Sequence, residues 1–344
     1  MEQLALQPPR ALEPPAGSAR IRLEPEDFQV EEVLGFAPSG AGEHVLLRVR
    51  KRGANTQWVA RELAAQGGVR VHDVGYAGLK DRHAVTTQWF SVPARRKAPA
   101  AWLSVRGEGY EVEEAHAHQR KLPRGALEGN RFVLRMREFV GDRERLTQRV
   151  AAIAAAGVPN YFGPQRFGRE LANLRPGYPR EQSFRLSAAR SLIFNAVLAE
   201  RIARGNWLQL HVGERANLDG RNSSFIVEAL DAALDERLQQ LDIHPTGPLW
   251  GEDGCGIAGE IAELEQEVAG RYPELLEWLR ADRVAAMRRP LRMAVRELEL
   301  DWLDEHSFTL KFFLRSGSFA TAVVRELIEI DAPAGVGQSE SEHA

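Results

Sequence analysis

A single cysteine, Cys255, stands among 344 residues. It excludes an internal disulfide and a cysteine-based zinc site, and it suits a reducing compartment. With no paired histidine motif beside it, Cys255 reads as a small buried or half-buried residue. No run approaches the roughly 18 to 20 apolar residues that a membrane helix needs, and no opening segment joins a basic start to an apolar core. A soluble, cytoplasmic protein is expected. Charge of one sign is also lacking: 45 Lys plus Arg against 48 Asp plus Glu give a formal net charge of -3, which by itself argues weakly against a nucleic-acid partner. There is no phosphate-cradling glycine loop ending in Lys-Ser/Thr, and no dinucleotide fingerprint leads from a strand into a helix, so nucleotide cofactors are unsupported.

What is present is unevenly placed. Between Lys80 and Glu138 there are 12 Lys plus Arg and 7 Asp plus Glu, a local excess of 12 less 7, or 5. Cations come in clumps at Lys51-Arg52, Arg95-Arg96-Lys97, Arg120-Lys121 with Arg124, and Arg288-Arg289. Each clump alone is an ordinary solvated loop; together they allow a basic face of the kind phosphate binding needs. At their centre lies Gly75-Tyr76-Ala77-Gly78-Leu79-Lys80-Asp81-Arg82-His83. Two glycines permit a sharp turn and the close approach of another molecule, and the carboxylate of Asp81 is delivered among cations that favour its charged form. Shielded from water, such a group is a usable nucleophile or base. A Lys-Asp-Arg run after a turn is, however, most often a plain surface turn.

Apolar content of 44% supports a real core, and the length exceeds one typical domain. Met1 to Gly17, with four prolines, reads as an extended, loosely held leader, and Asp331 to Ala344 as a disordered tail. Arg20 to Val33 reads as two extended pieces bent at Pro25. Strands are expected at His44–Arg50, near Val74–Ala77, at Thr86–Val92, Tyr110–His118 and Asn130–Arg137, with helices from Asn55 or Thr56 to about Ala65 and over Asp142–Ala156. From Gly157 the texture becomes irregular and then mainly helical, with Ser187 capping a helix to about Arg204 and further helices at Ala232–Leu241, Ile257–Val268 and Pro273–Asp282. Strand texture returns with Leu291, Met293 and Val295 and at Ser307–Leu314, before a last helix whose stripe is Ala320, Val323, Val324, Leu327 and Ile328. Absence of strict strand–helix alternation favours a mixed or antiparallel α+β domain, with the middle portion as an insertion.

His116 and His118 share one strand face, but no third ligand stands at a recognisable offset, so no metal site is expected. Asn130 and Phe132 share a strand parity, so an amide and a ring can face one site, where they could bond and stack on a base. From the residues alone, an α+β enzyme and an RNA-binding protein both remain open.

Four segments carry a resemblance: Gly78 to Gln88 (GLKDRHAVTTQ), Gly157 to Gly168 (GVPNYFGPQRFG), Leu186 to Asn195 (LSAARSLIFN) and Gly317 to Leu327 (GSFATAVVREL). In this order and spacing the chain, from about Arg20 to Glu329, resembles the tRNA pseudouridine synthase D family. The resemblance implies an α+β pseudouridine synthase fold, a mixed, mainly antiparallel sheet with flanking helices carrying an inserted, mainly helical α/β domain. It places a discontinuous catalytic domain at 18–156 plus 303–330, the inserted domain at 157–302, and flexible tails at 1–17 and 331–344. It implies isomerisation of a uridine in tRNA, position 13 in the bacterial enzymes, without metal or organic cofactor. A monomer is expected. Asp81 corresponds to the catalytic aspartate, and Phe28, Asn130 and Phe319 to substrate-binding positions. Phe132 matches the aromatic that other pseudouridine synthases usually supply as tyrosine. Related enzymes pair the aspartate with a basic residue; Arg22 and Lys80 are the candidates, and Lys80 would point away from Asp81 in an extended backbone. Two rival classes are a non-catalytic RNA-binding module, which would not need Asp81, and a carboxylate-dependent nucleoside hydrolase, which would release free uracil.

Overall fold

The computed structural model describes residues 1–95, 97–175, 182–253 and 256–331. Cys255, Arg96 and the tail from residue 332 lie outside the described residues. The chain divides into two compact units. One takes in Met1–Pro14, Ala151–Ala294 and Thr321–Glu326, the other Pro15–Val150, Val295–Ala320 and the residues from Leu327 on.

After a short helix α1 (Glu2–Leu6), strand β1 (Gly17–Arg20) leads to a 3-10 turn at Pro25–Asp27, where the side chains of Glu24 and Asp27 cap each other's backbone and Pro25 supplies the first fixed φ. Then follow β2 (Phe28–Val33), β3 (His44–Arg52), helix α2 (Thr56–Gly67), β4 (Gly75–Tyr76), β5 (Val85–Pro93), β6 (Arg106–Gly107), β7 (Tyr110–His118), β8 (Gly129–Gly141) and helix α3 (Arg143–Ala156). Asn55 caps α2 by accepting from Gln57 N at 2.8 Å, and Gly68, at φ 60°, ends it in the left-handed conformation. Val45, Leu47 and Val49 of β3 bury one face against Val59 and Leu63 of α2 and Phe90 and Val92 of β5. This core fixes the strands that flank the Asp81 loop.

The middle stretch holds β9 (Val158–Pro159), helix α4 (Gln182–Ala203), β10 (Arg215–Leu218), β11 (Ser224–Ile226), helix α5 (Ala232–Gln239), β12 (Ile243–Leu249), helices α6 (Glu260–Gly270) and α7 (Pro273–Ala281), β13 (Met287–Pro290) and β14 (Arg292–Met293). Besides helices it carries a sheet in the order β11-β10-β12-β13. Ser187, expected as a cap, sits within α4. Phe184, one turn before it, is exposed, so no apolar periodicity announces the first turns.

The chain then gives β15 (Arg296–Trp302), β16 (Phe308–Arg315), helix α8 (Ala320–Leu327) and β17 (Glu329–Ile330). Among the described residues the large sheet runs β15-β16-β8-β2-β5-β3-β7-β6, with β4 on β5 and β1 joining β8 to β17. Its pairs are antiparallel except β2–β5 and β1–β17. The return to this sheet therefore begins at β15, several residues before position 303. None of the β15 side chains is fully buried, which hides an edge strand from a hydrophobicity pattern.

The opening residues are also held, contrary to the reading from proline content. Ala5 is fully buried with Phe167, Leu192 and Leu275. Asn195 Nδ2 donates to Leu4 O at 3.2 Å, Arg325 donates to Pro8 O, and Glu326 Oε2 accepts from Ala11 N and Leu12 N at 2.9 and 3.2 Å. Proline reports a backbone that is not helical; it does not report whether that backbone is bonded.

Candidate active site

The loop that carries Asp81 is pinned on both sides. Gly75 pairs with Ser91 and Tyr76 with Phe90. A Cβ at Gly75 would lie 2.4 Å from Ser91 Oγ and 2.5 Å from Leu122 O, so only glycine fits this approach. At Gly78 the nearest atom would be Lys80 Nζ at 3.9 Å, and the chain itself makes no such demand. Further along, Gln88 Nε2 donates to Gly78 O at 2.7 Å, Thr56 Oγ1 donates to Gln88 Oε1 at 3.0 Å, and Lys80 N donates to Thr56 Oγ1 at 3.1 Å. Thr56 and Gln88 are buried. Hydrogen bonds made away from water in this way hold the backbone just before Asp81 in one position.

Asp81 meets one cation directly: Arg22 Nη2 donates to Asp81 Oδ2 at 2.8 Å. Both side chains are about a third exposed, 34% for Asp81 and 37% for Arg22, so bulk water still screens the pair. Arg22 sits at φ 62°, a left-handed conformation uncommon for a long side chain. Its guanidinium lies 4.0 Å from the centre of the Phe28 ring. Phe28 meets Phe132 edge to face at 6.2 Å, and Phe132 stacks on Phe312 at 5.3 Å. Carboxylate, guanidinium and an aromatic floor thus form one continuous set.

Lys80 goes elsewhere. Its Nζ lies 2.5 Å from Oε1 of Glu32, whose side chain is fully buried and whose Oε2 accepts from Trp89 N at 2.8 Å. Burial raises the Glu32 pKa while Lys80 opposes the shift. Lys51, 1% exposed, donates to Ala54 O at 3.0 Å. Burial first, then the charge of Lys80, pushes Lys51 down to about 8, against the pull of Glu32 and Asp81. Glu32 and Lys51 were missed as members of the site, and Lys51 is no part of a solvated basic clump. Their signal was parity: Phe28, Val30 and Glu32 alternate on β2, and Val45, Leu47, Val49 and Lys51 on β3, so both charged residues continue a core face.

Asn130 and Phe132 lie on the same face of β8, where Asn130 is opposite Glu32 and Leu314, and Phe132 is opposite Val30 and Phe312. Asn130 Oδ1 is buried and accepts no hydrogen bond. Phe319 follows Gly317, which takes φ 83°, and is 45% exposed. Among the described residues it makes no ring contact with Phe28 or Phe132, so the structure does not gather it into the set.

The other face of the large sheet holds a cleft of about 310 Å³. Its charges are matched: Arg48 pairs with Glu31, Glu113 and Glu114, Arg131 with Glu297, and Lys311 with Glu299 and Asp301. Asp81 and Arg22 do not line it. His116 pairs with Glu114, and His118 Nδ1 accepts from Ser39 N. Of the cation clumps, Arg52 pairs with Glu26 and Arg288 with buried Glu265, whereas Arg124 lies over the Tyr76 ring.

A mixed, mainly antiparallel sheet thus carries an aspartate on a pinned loop beside an arginine and stacked aromatics. The family model for tRNA pseudouridine synthase D (TruD) matches residues 11–175 and 179–327. The tRNA pseudouridine synthase D of Nitrosococcus oceani is 45% identical over 336 residues, covering 94% of each chain. That of Methylococcus capsulatus is 45% identical over 323 residues, 91% of each. The crystal structure of the putative tRNA pseudouridine synthase D (TruD) of Methanosarcina mazei matches the fold with a TM-score of 0.77 at 21% identity, over 94% of this chain and 96% of that one. The chain belongs to the tRNA pseudouridine synthase D family.

Proposed function

We propose that this protein is a cytoplasmic, monomeric tRNA pseudouridine synthase that isomerises uridine 13, with Asp81 as its catalytic residue. The unit of residues 15–150, 295–320 and 327 onward is the catalytic domain, and the stretch 151–294 of the other unit the inserted one. The observation that carries this reading is the 2.8 Å pair of Arg22 with Asp81 set beside Phe28, Phe132 and an Asn130 carbonyl oxygen without a partner.

A uracil within folded RNA cannot offer both its glycosidic bond and its C5 to one side chain, so the nucleotide is flipped out. Phe28 and Phe132 form the apolar floor beneath it. Asn130 Oδ1 accepts from the base N3–H, and the exposed ring of Phe319 is available to a neighbouring base. Docking the RNA removes the water that screens Asp81 and strengthens its interaction with Arg22. Asp81 then promotes rupture of the N1–C1′ bond. The detached uracil turns in place, C5 bonds to C1′, C5 loses its proton and N1 gains one, so no cofactor is consumed.

The test is tritium release from C5-labelled uridine in bulk tRNA, wild type beside Asp81→Ala, with primer extension after carbodiimide treatment to locate the product. Release by wild type alone, with a stop at position 13, is the expected result. Tight tRNA binding with release by neither protein would leave an RNA-binding module, and free uracil in the supernatant would make it a hydrolase.

A further inference from the structure

The GVPNYFGPQRFG segment is not used by the Asp81 site, and its side chains converge in the other unit. Asn160 is locked by Asn160 N to Leu291 O at 2.9 Å and Nδ2 to Pro290 O at 2.9 Å. The backbone of Phe162 is held by buried Asn195, which accepts from Phe162 N at 2.9 Å and donates to Phe162 O at 3.0 Å. The Phe162 ring meets Phe194 edge to face at 5.5 Å. Two guanidiniums reach this ring: Arg289 at 4.2 Å and Arg166, from the 3-10 turn Pro164–Phe167, at 5.2 Å. Arg289 Nη2 donates to Asn160 Oδ1 at 2.6 Å, and Arg166 Nη1 to Ser187 Oγ at 3.0 Å. One turn along α4, Arg190 donates to Leu249 O and Ala285 O.

Among the described residues none of these three arginines has a carboxylate partner. Elsewhere in the same unit such partners are common, as in Arg201 with Glu214, Arg204 with Glu200, and Arg288 with Glu265. Strand parity separates Arg288, which turns to Glu265, from Arg289, which turns to Phe162. Burial first, then the charge of Arg166, pushes Arg289 down to about 10, so it still carries its charge at neutral pH. A half-buried Arg289 and an exposed Arg166, matched only by neutral oxygens among the described residues, leave positive charge around this ring that an anion would neutralise. In a polyribonucleotide that anion is the backbone phosphate, the group by which proteins set register without reading sequence.

We propose that Arg166 and Arg289, placed around the Phe162 ring, form a phosphate-binding site that grips the sugar–phosphate backbone of the RNA substrate. This rests on the RNA-modifying reading above. The test measures binding and turnover separately on the full chain. Affinity for bulk tRNA is followed over a salt series for wild type, Arg166→Gln, Arg166→Glu, Arg289→Gln and the acid-paired control Arg204→Gln. Arg166→Gln should weaken binding about fivefold at low salt and reduce the slope of log affinity against log salt by about one. Arg166→Glu should go further, with KM rising more than kcat falls, while Arg204→Gln keeps the wild-type slope. Arg166 is exposed, so its variants decide the matter even if Arg289→Gln fails to fold. Wild-type affinity and slope in both Arg166 variants of an active enzyme would overturn the site and leave the isomerase reading standing. The reduced slope in a protein that binds tRNA but releases no tritium would support the site and overturn the isomerase.

Discussion

At Arg22 the backbone takes a conformation that costs an L-residue about 1 kcal/mol or more, and the side chain it aims touches both Asp81 and Phe28. Strain of this kind persists where the surroundings over-determine it, commonly at working sites. Arg22→Ala should lower kcat about a hundredfold while changing tRNA affinity by no more than about threefold; equal losses in both would reduce Arg22 to an RNA contact. Lys51 offers a second test at the same scale. Its folded pKa of about 8 lies below the ordinary 10.5. Below pH 8 it is protonated whether the chain is folded or unfolded, and the cost of burying charge is felt in full. Between pH 8 and 10.5 the unfolded chain holds more protons, so stability rises with pH. Urea unfolding of wild type and Lys51→Met at pH 7 and pH 10.5 should show wild type gaining about 3 kcal/mol on the variant. A pH-independent difference would mean that Lys51 keeps its proton throughout.

Among the elements, β8 carries most of what alternation can reveal. Asn130, Phe132, Leu134 and Met136 take one face, and Arg131, Val133, Arg135 and Arg137 the other, as period two requires. The shared face of Asn130 and Phe132 and the length of β7 were legible for that reason, and the end of α2 because a glycine pair stops a helix. Glu32 and Lys51 were not, because a charged residue on a core face is ordinarily assigned to the surface before its partner is known. Lys80's turn toward Glu32 depends on a contact across 48 positions of sequence, from 32 to 80, which no local pattern contains. The start of α4 and the edge strand β15 were hidden by exposed or half-exposed residues. Because Asn130 Oδ1 bonds to nothing within the fold, Asn130→Ala should alter stability by less than about 0.5 kcal/mol yet reduce tritium release about tenfold. A large fall in the thermal midpoint would instead make Asn130 a structural residue.

For the whole molecule, the first and last described segments matter more than their composition implies. The unit that contains α1 also contains residues 321–326, and Ala5 closes its core over Phe167 and Leu192. Deleting Met1–Glu13 should therefore lower the thermal midpoint by about 5 °C or more, measured by circular dichroism; an unchanged midpoint would return the segment to the status of a loose leader. In the large sheet, Ser18 of β1 lies opposite Glu329 of β17, and β16 fills the position between β8 and β15. A ribosome adds 167 residues between Gly141 and Phe308 (308 less 141), so during synthesis β8 waits with one edge bare while the whole middle stretch is made. Nascent chains stalled before that residue would expose an unpaired strand edge, and they are the species on which chaperones and proteases would act.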